Sequence, residues 1–192
     1  TPTAAATTAQ APLAGTRLSG QARHRVWGFE VYDAALWVTP GFSAQAPERS
    51  AFALELHYLR DFSARDIASR SITEMRRSGP LTPEQADQWQ KALETTLPDV
   101  RKGDRLTGVN QPGQPTAFWL NGKSIGDIAG ADFAKRFFGI WLAPQTSAPA
   151  LREALLAGAQ PLAHCPGQPP PRSAPATVWP MPCFVSRWLL CR

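Results

Sequence analysis

The first 160 residues of this 192-residue sequence contain no cysteine. All three cysteines, Cys165, Cys183 and Cys191, lie near the C-terminus, so a disulfide framework for the main domain is excluded. Their spacing matches no zinc motif, and the first 160 residues contain only two histidines, His24 and His57. We therefore expect no metal site, no cysteine nucleophile and no cofactor.

Long apolar runs and a surplus of charge are also missing. No stretch of about 20 apolar residues occurs, so no membrane-spanning helix is predicted. The net charge is +5, and Arg172, Arg187 and Arg192 contribute three of these charges. Residues 1–160 thus carry only +2, which does not indicate a nucleic-acid partner. Common catalytic motifs, such as phosphate-binding glycine loops, HExxH and GxSxG, are absent too.

The two ends differ in composition from the segment between them. Residues 1–12 (TPTAAATTAQAP) are small and polar. They predict a flexible segment and resemble the start of an exported, periplasmic protein after signal-peptide removal, although an arbitrary sequence boundary is the alternative. Residues 159–192 are rich in proline and predict a disordered tail, which we interpret as foreign to the domain, as a shifted reading frame would make it. Residues 13–158 are the predicted domain.

Within that domain, hydrophobic patterns separate strands from helices. Strands are predicted at 22–27, 29–38, 51–59, 105–109, 117–120 and 123–126. Helices are predicted after the capping residues Ser63, Thr82 and Asp132, and over 149–157. Because strands and helices come in separate blocks, the sequence predicts an α+β fold with a mainly antiparallel sheet.

One group of residues could bind an anion. Arg23 and Arg25 share a strand face, and Tyr32 lies on the strand expected to pair with it. An arginine and a phenol from neighbouring strands could hold one carboxylate or enolate oxygen between them. A solvated strand face with an unengaged arginine is the alternative. His24, on the opposite face from Arg23, is expected to have a surface or sheet-packing role.

Seven segments, spread in order over residues 18–157, resemble the chalcone isomerase-like family in its bacterial branch. They are GFEVYDAALWV (28–38), LRDFSARDIASRSI (59–72), GPLTPEQADQW (79–89), KGDRL (102–106), FWLNGKSIGDI (118–128), FAKRFFGIWLAP (133–144) and TSAPALREALL (146–156). The resemblance implies an open-faced β-sandwich, in which helices back a large sheet and a ligand cleft lies between the two layers.

The resemblance also implies two functions. Plant members close a chalcone to a flavanone, whereas other members bind fatty acids with an arginine and a tyrosine. These two residues correspond here to Arg23 and Tyr32, or to Arg25 if the register shifts by two. The isomerases have threonine at the position of Tyr32, and their tyrosine on the first helix is matched here by Phe62.

We therefore expect a non-catalytic domain that binds a fatty acid or a similar apolar carboxylate. Arg23 and Tyr32 would hold the head group, with Phe52, Leu54 or their neighbours around the chain. The alternatives are an intramolecular lyase acting on an enone and a purely structural or partner-binding domain. The oligomeric state is left open.

Overall fold

A computed structural model describes residues 13–159. The predictions for residues 1–12 and for the proline-rich tail from residue 160 onwards lie outside the described residues. The described chain contains six strands and four helices. The strands are β1 Arg17–Val26, β2 Phe29–Val38, β3 Phe52–Tyr58, β4 Arg105–Asn110, β5 Thr116–Leu120 and β6 Lys123–Ile128. The helices are α1 Ala64–Met75, α2 Pro83–Thr96, α3 Ala131–Leu142 and α4 Pro149–Leu156.

The six strands form one antiparallel sheet in the order β1-β2-β3-β4-β5-β6. Every strand therefore pairs with its neighbour in sequence. Two of the connections are two-residue hairpin turns, Trp27-Gly28 and Asn121-Gly122. All four of these residues have positive φ, between 49° and 83°, as a type I′ turn requires. The prediction of an α+β fold with a mainly antiparallel sheet is confirmed.

The helix starts follow from local capping chemistry. The Ser63 hydroxyl accepts a hydrogen bond from the Asp66 backbone N–H and begins α1. At α2, Thr82 and Gln85 form a complete capping box, and Pro83 occupies the first helical position. α3 begins two residues earlier than predicted: Gly130, and not Asp132, is its N-cap, and Asp132 lies within the first turn.

The core lies between the inner face of the sheet and the helices. Alternate residues of β2 and β3 point into it, among them Leu36, Val38 and Phe52, which are fully buried. α3 supplies the facing aromatic residues. Phe138 packs edge-on against Phe52, with ring centroids 4.7 Å apart, and Phe137 packs edge-on against Phe118 at 5.4 Å. These contacts fix α3 across the middle of the sheet.

The last helix is tied to the first strand. The Ser19 hydroxyl donates to the Leu155 carbonyl at 2.8 Å, and the Gly158 N–H donates to the Ser19 carbonyl at 2.9 Å. α4 lies so close to β1 that a Cβ atom on Gly20 would overlap the carbonyl of Ala154. The contact therefore requires glycine. Within residues 13–159, no helix has the length and apolarity needed to cross a membrane.

Candidate functional site

A cavity of about 440 Å³ opens between the sheet and helices α1, α3 and α4. This volume is within the range of small-molecule sites, roughly 300–1,000 Å³. Most of its walls are apolar, and its aromatic and aliphatic lining includes Val26, Leu56, Phe62, Ile67, Leu97, Leu106, Phe137, Ile140 and Leu151. Its polar side chains come from the sheet and the segment after β3, from α1, and from the segment before α4.

Tyr32 supplies a polar group to the cavity wall from β2. The Trp141 indole N–H donates to the Tyr32 hydroxyl oxygen at 2.9 Å. With its oxygen already accepting this bond, the phenol can donate its own proton to another acceptor. Burial raises the pKa of Tyr32 to about 12, so the phenol stays protonated at physiological pH.

Tyr58 and His24 stand beside Tyr32. Tyr58 lies directly opposite Tyr32 on β3, and burial raises its pKa as well. His24 lies opposite Tyr32 on β1, and the two rings stack with centroids 5.0 Å apart. Burial is the main cause that lowers the pKa of His24, and the positive charge of Arg70 lowers it further. The site therefore presents two protonated phenols and a neutral imidazole near pH 7.

α1 contributes a charged cluster to the opposite wall. Residues Ile67, Arg70, Ser71 and Glu74 recur at helical spacing and all line the cavity. The Glu74 carboxylate is buried and forms ion pairs with Arg70 at 2.6 Å and Arg77 at 3.0 Å. Asp66, on the same face of α1, lines the cavity as well. The two carboxylates therefore balance the two guanidinium groups, and Arg70 is the cation of this cluster that reaches the cavity.

The mouth of the cavity is formed by the tip of the β1–β2 hairpin and by the residues after β3. Trp27 and Phe29 line it from the hairpin, and Arg60 lines it from the other side. The Arg60 guanidinium lies over the Phe29 ring, 5.0 Å from the centroid. Such a contact is a cation–π interaction.

The structure does not bring Arg23 and Arg25 into the cavity. The Arg23 guanidinium donates to the Asp33 carboxylate at 2.6 and 3.0 Å and to Glu30 at 2.9 Å, on the solvent-facing side of the sheet. These carboxylates raise its pKa. Arg25 also pairs with Glu30, at 2.8 Å. Of the three predicted site residues, only Tyr32 lines the cavity, so the predicted pairing of Arg23 with Tyr32 is wrong.

A β-bulge is the physical reason for this error. A regular hairpin closed by Trp27-Gly28 would place Arg23 opposite Tyr32. In the structure the register shifts after the pair Arg25 and Glu30, and Val31 is the extra residue. Beyond the bulge, His24 pairs with Tyr32 and Arg23 pairs with Asp33. Because a one-residue shift moves a side chain to the other face, His24 takes the place predicted for Arg23.

Other parts of the site were missed or misplaced by the sequence reasoning. Arg70 was not predicted, because an arginine on a predicted helix is usually solvated. Its spacing from Ile67 and Glu74 was the available clue, since it places all three on one helix face. On β3, Leu56 and Tyr58 line the cavity, whereas Phe52 and Leu54 pack further along the strand.

Comparisons with known proteins agree with this architecture. The sequence profile of the family described as chalcone isomerase-like matches residues 4–157. An uncharacterized protein of Haemophilus influenzae is 30% identical over 147 residues, which cover 76% of this chain and 70% of that protein. The crystal structure of a fatty-acid binding protein of Arabidopsis thaliana superposes with a TM-score of 0.59 at 12% identity, covering 76% of this chain and 89% of that one. At this identity, the structural likeness establishes the fold.

Proposed function

Because the chain belongs to the chalcone isomerase-like family, we propose that it binds a fatty acid or a similar apolar carboxylate in the cavity between sheet and helices. The observation that carries the proposal is the cavity itself, about 440 Å³ of mostly apolar space with polar groups at defined positions on its walls. The fold shared with a plant fatty-acid binding protein supports it. An exported location stays a prediction from residues 1–12.

The carboxylate head group would lie between Tyr32 and Arg70. The Tyr32 phenol has a proton to donate, because its oxygen already accepts the Trp141 N–H. Arg70 brings a guanidinium group to the same region, where its charge lowers the pKa values of both His24 and Tyr32, while the paired Glu74 carboxylate raises them. A charged donor and a neutral donor converging on one acceptor is a common arrangement for binding a carboxylate.

The alkyl chain would occupy the apolar remainder of the cavity. Leu97, Leu106 and Phe137 lie on its inner walls, and Ile140 and Leu151 lie on the helices above. Each methylene group moved from water into such an environment contributes about 0.8 kcal/mol. The apolar contacts would thus provide most of the affinity, and the head-group contacts would set the orientation of the ligand.

Calorimetric titration with a fatty acid and with the alcohol of the same chain length tests both the head-group contacts and the apolar contacts. The alcohol keeps the apolar contacts and removes the negative charge. Arg70→Gln and Tyr32→Phe should each weaken fatty-acid binding by about tenfold or more, which corresponds to roughly 1.5–3 kcal/mol for a hydrogen bond to a charged group. Binding of the alcohol should change less in Arg70→Gln, because no carboxylate is present.

Two further variants test which arginine binds the carboxylate: Arg70, as the structure suggests, or Arg23, as the sequence predicted. Arg23→Gln removes the guanidinium that the sequence predicted as the ligand-binding group. Arg105→Gln is the matched control, since Arg105 pairs with Glu55 on the same outer face at 2.7 Å. We expect both variants to bind with wild-type affinity. A loss confined to Arg23→Gln would restore the sequence-based assignment, and no binding of either compound by the wild type would contradict the proposed function.

An intramolecular lyase remains the second candidate, because the same two donors could polarise a ketone oxygen. Tyr32 and Arg70 both line the cavity. A chalcone cyclisation assay separates the two activities. Acceleration that disappears in Tyr32→Phe would favour the lyase.

A further inference from the structure

The tip of the β1–β2 hairpin exposes two aromatic side chains to solvent at the mouth of the cavity. Trp27 is 95% exposed and Phe29 is 61% exposed. The other two exposed large hydrophobic residues within the described chain, Leu18 and Trp119, are about 40% exposed. Trp27 and Phe29 also line the cavity mouth. The most exposed apolar surface therefore surrounds the entrance to the cavity.

Folding alone does not account for tryptophan at this position. Trp27 has a φ of 49°, in the left-handed region that asparagine and glycine adopt readily and bulky residues rarely do. Its side chain is almost fully exposed, so packing cannot compensate for the backbone strain. A residue that is strained and buries almost nothing in the isolated protein indicates a contact with something outside it.

The charge beside these aromatic residues limits what that contact could be. Arg60 is exposed, lies over the Phe29 ring, and has no carboxylate partner within residues 13–159. Aromatic rings prefer the interfacial zone of a bilayer, where a nearby guanidinium group can meet lipid phosphates. Two aromatic side chains offer about 300–500 Å² in total, which is less than the roughly 800 Å² that each partner contributes to a standard-size protein interface. The surface therefore fits a lipid bilayer better than a protein partner.

We propose that the hairpin tip, residues 26–29, docks on the surface of a lipid bilayer and turns the cavity mouth toward the lipids. Trp27 and Phe29 enter the interfacial zone, and Arg60 contacts anionic head groups. The inference rests on the proposed function in one respect: the same mouth would admit the apolar carboxylate. Docking itself involves only the tip and does not require an occupied cavity.

Co-sedimentation of the full chain with vesicles that contain no fatty acid tests the docking directly. The vesicles consist of phosphatidylcholine with and without phosphatidylglycerol. We expect Trp27→Asn, which installs a residue suited to this turn, to reduce partitioning into both vesicles about tenfold, as the loss of aromatic burial implies. Arg60→Gln should weaken binding only where phosphatidylglycerol is present. Trp119→Thr is the control, because Trp119 lies on β5, away from the mouth, and should bind like the wild type.

Several results would overturn the proposal. These are the absence of vesicle binding by the wild type, equal binding by the wild type and Trp27→Asn, or a dimer in solution that Trp27→Asn dissociates. Fatty-acid titration without vesicles distinguishes a failure of membrane docking from a failure of the proposed fatty-acid binding. A protein that binds vesicles but no fatty acid keeps the docking inference. A protein that binds fatty acid but no vesicles keeps only the proposed function.

Discussion

The two hairpins at one end of the sheet, β1–β2 and β5–β6, share a backbone plan and differ in chemistry. Each turn consists of two residues with nearly identical φ values, 49° and 83° for Trp27-Gly28 and 50° and 82° for Asn121-Gly122. In each hairpin the two residue pairs next to the turn are regular. The register then shifts by one, so that the third residue after the turn has no partner on the other strand. Trp27 in the first hairpin therefore corresponds to Asn121 in the second.

The difference between these two residues shows what each turn is for. The Asn121 side chain accepts from the Arg105 N–H and donates to the Asp104 carboxylate, both at 2.9 Å. It therefore stabilises the turn and the start of β4. Trp27 occupies the same backbone conformation and is almost fully exposed. The second turn is thus built for folding, whereas the first carries a residue that folding does not require.

The largest expected difference between the hairpins appears in alkaline solution. Beyond the bulge, the first hairpin buries Tyr32, and the second has Gly126 at the corresponding position. Between pH 10 and 12 the unfolded tyrosine ionises while Tyr32, with a pKa raised to about 12, does not. The unfolded state then releases a proton that the native state retains, so the free energy of unfolding falls as pH rises, by about 1.4 kcal/mol per pH unit for each such tyrosine.

Urea unfolding at pH 10 and pH 11 measures this slope. Tyr32→Phe should fall less steeply than the wild type, and the remaining slope should come largely from Tyr58, whose pKa is raised as well. The variant itself is less stable at every pH, because the Trp141 N–H loses its acceptor, and this does not affect the comparison of slopes. Equal slopes in the two proteins would contradict the burial of an un-ionised Tyr32.

An intermediate effect on stability is expected when Asn121 of the second hairpin is replaced by tryptophan, the residue at the same place in the first hairpin. Asn121→Trp keeps the turn but removes both side-chain hydrogen bonds of Asn121 and leaves the Arg105 N–H without its acceptor. We expect a loss of about 1–2 kcal/mol in the free energy of unfolding. Thermal and urea unfolding both measure it. A variant as stable as the wild type would mean that these bonds contribute nothing and that the two turns are interchangeable.

The smallest effect on stability is expected from the reverse exchange. Trp27→Asn removes an exposed side chain and installs a residue that prefers this backbone conformation. We expect the free energy of unfolding to match the wild type or to rise by up to about 1 kcal/mol, because the backbone strain at this position is relieved. Urea unfolding again provides the value. A large destabilisation would show that Trp27 packs against the domain and would remove the reason for assigning it an external contact.

The sequence was sufficient for most of the fold, because its signals are local. The helix start at Thr82 and the break between two strands at residues 121–122 were predicted from neighbouring residues and are present. Element ends were less accurate. β1 begins at Arg17 rather than Ala22, because α4 packs against a stretch that contains Gly20. Such a long-range contact leaves no signal in the strand itself.

The site was less predictable than the fold, because it depends on register. Tyr32 was identified by its place on the strand expected to pair with that of Arg23 and by the family resemblance. The face of Arg23 depended on whether a bulge follows Glu30, and no sequence pattern announced the extra Val31. Arg70 could be located only once α1 was known to lie over the cavity. A shift of one residue in pairing thus decided that His24, and not Arg23, faces the cavity.

The contact between α4 and β1 also brings the two ends of the described chain together. The Gly158 N–H bonds to the Ser19 carbonyl, so residues that are far apart in sequence meet at one edge of the sheet. Joined ends are the condition under which a chain can be circularly permuted. A version that starts in the exposed loop at residues 111–115 and links residue 159 to residue 13 would keep every strand pair described here. The order of synthesis could then change while the cavity stayed the same.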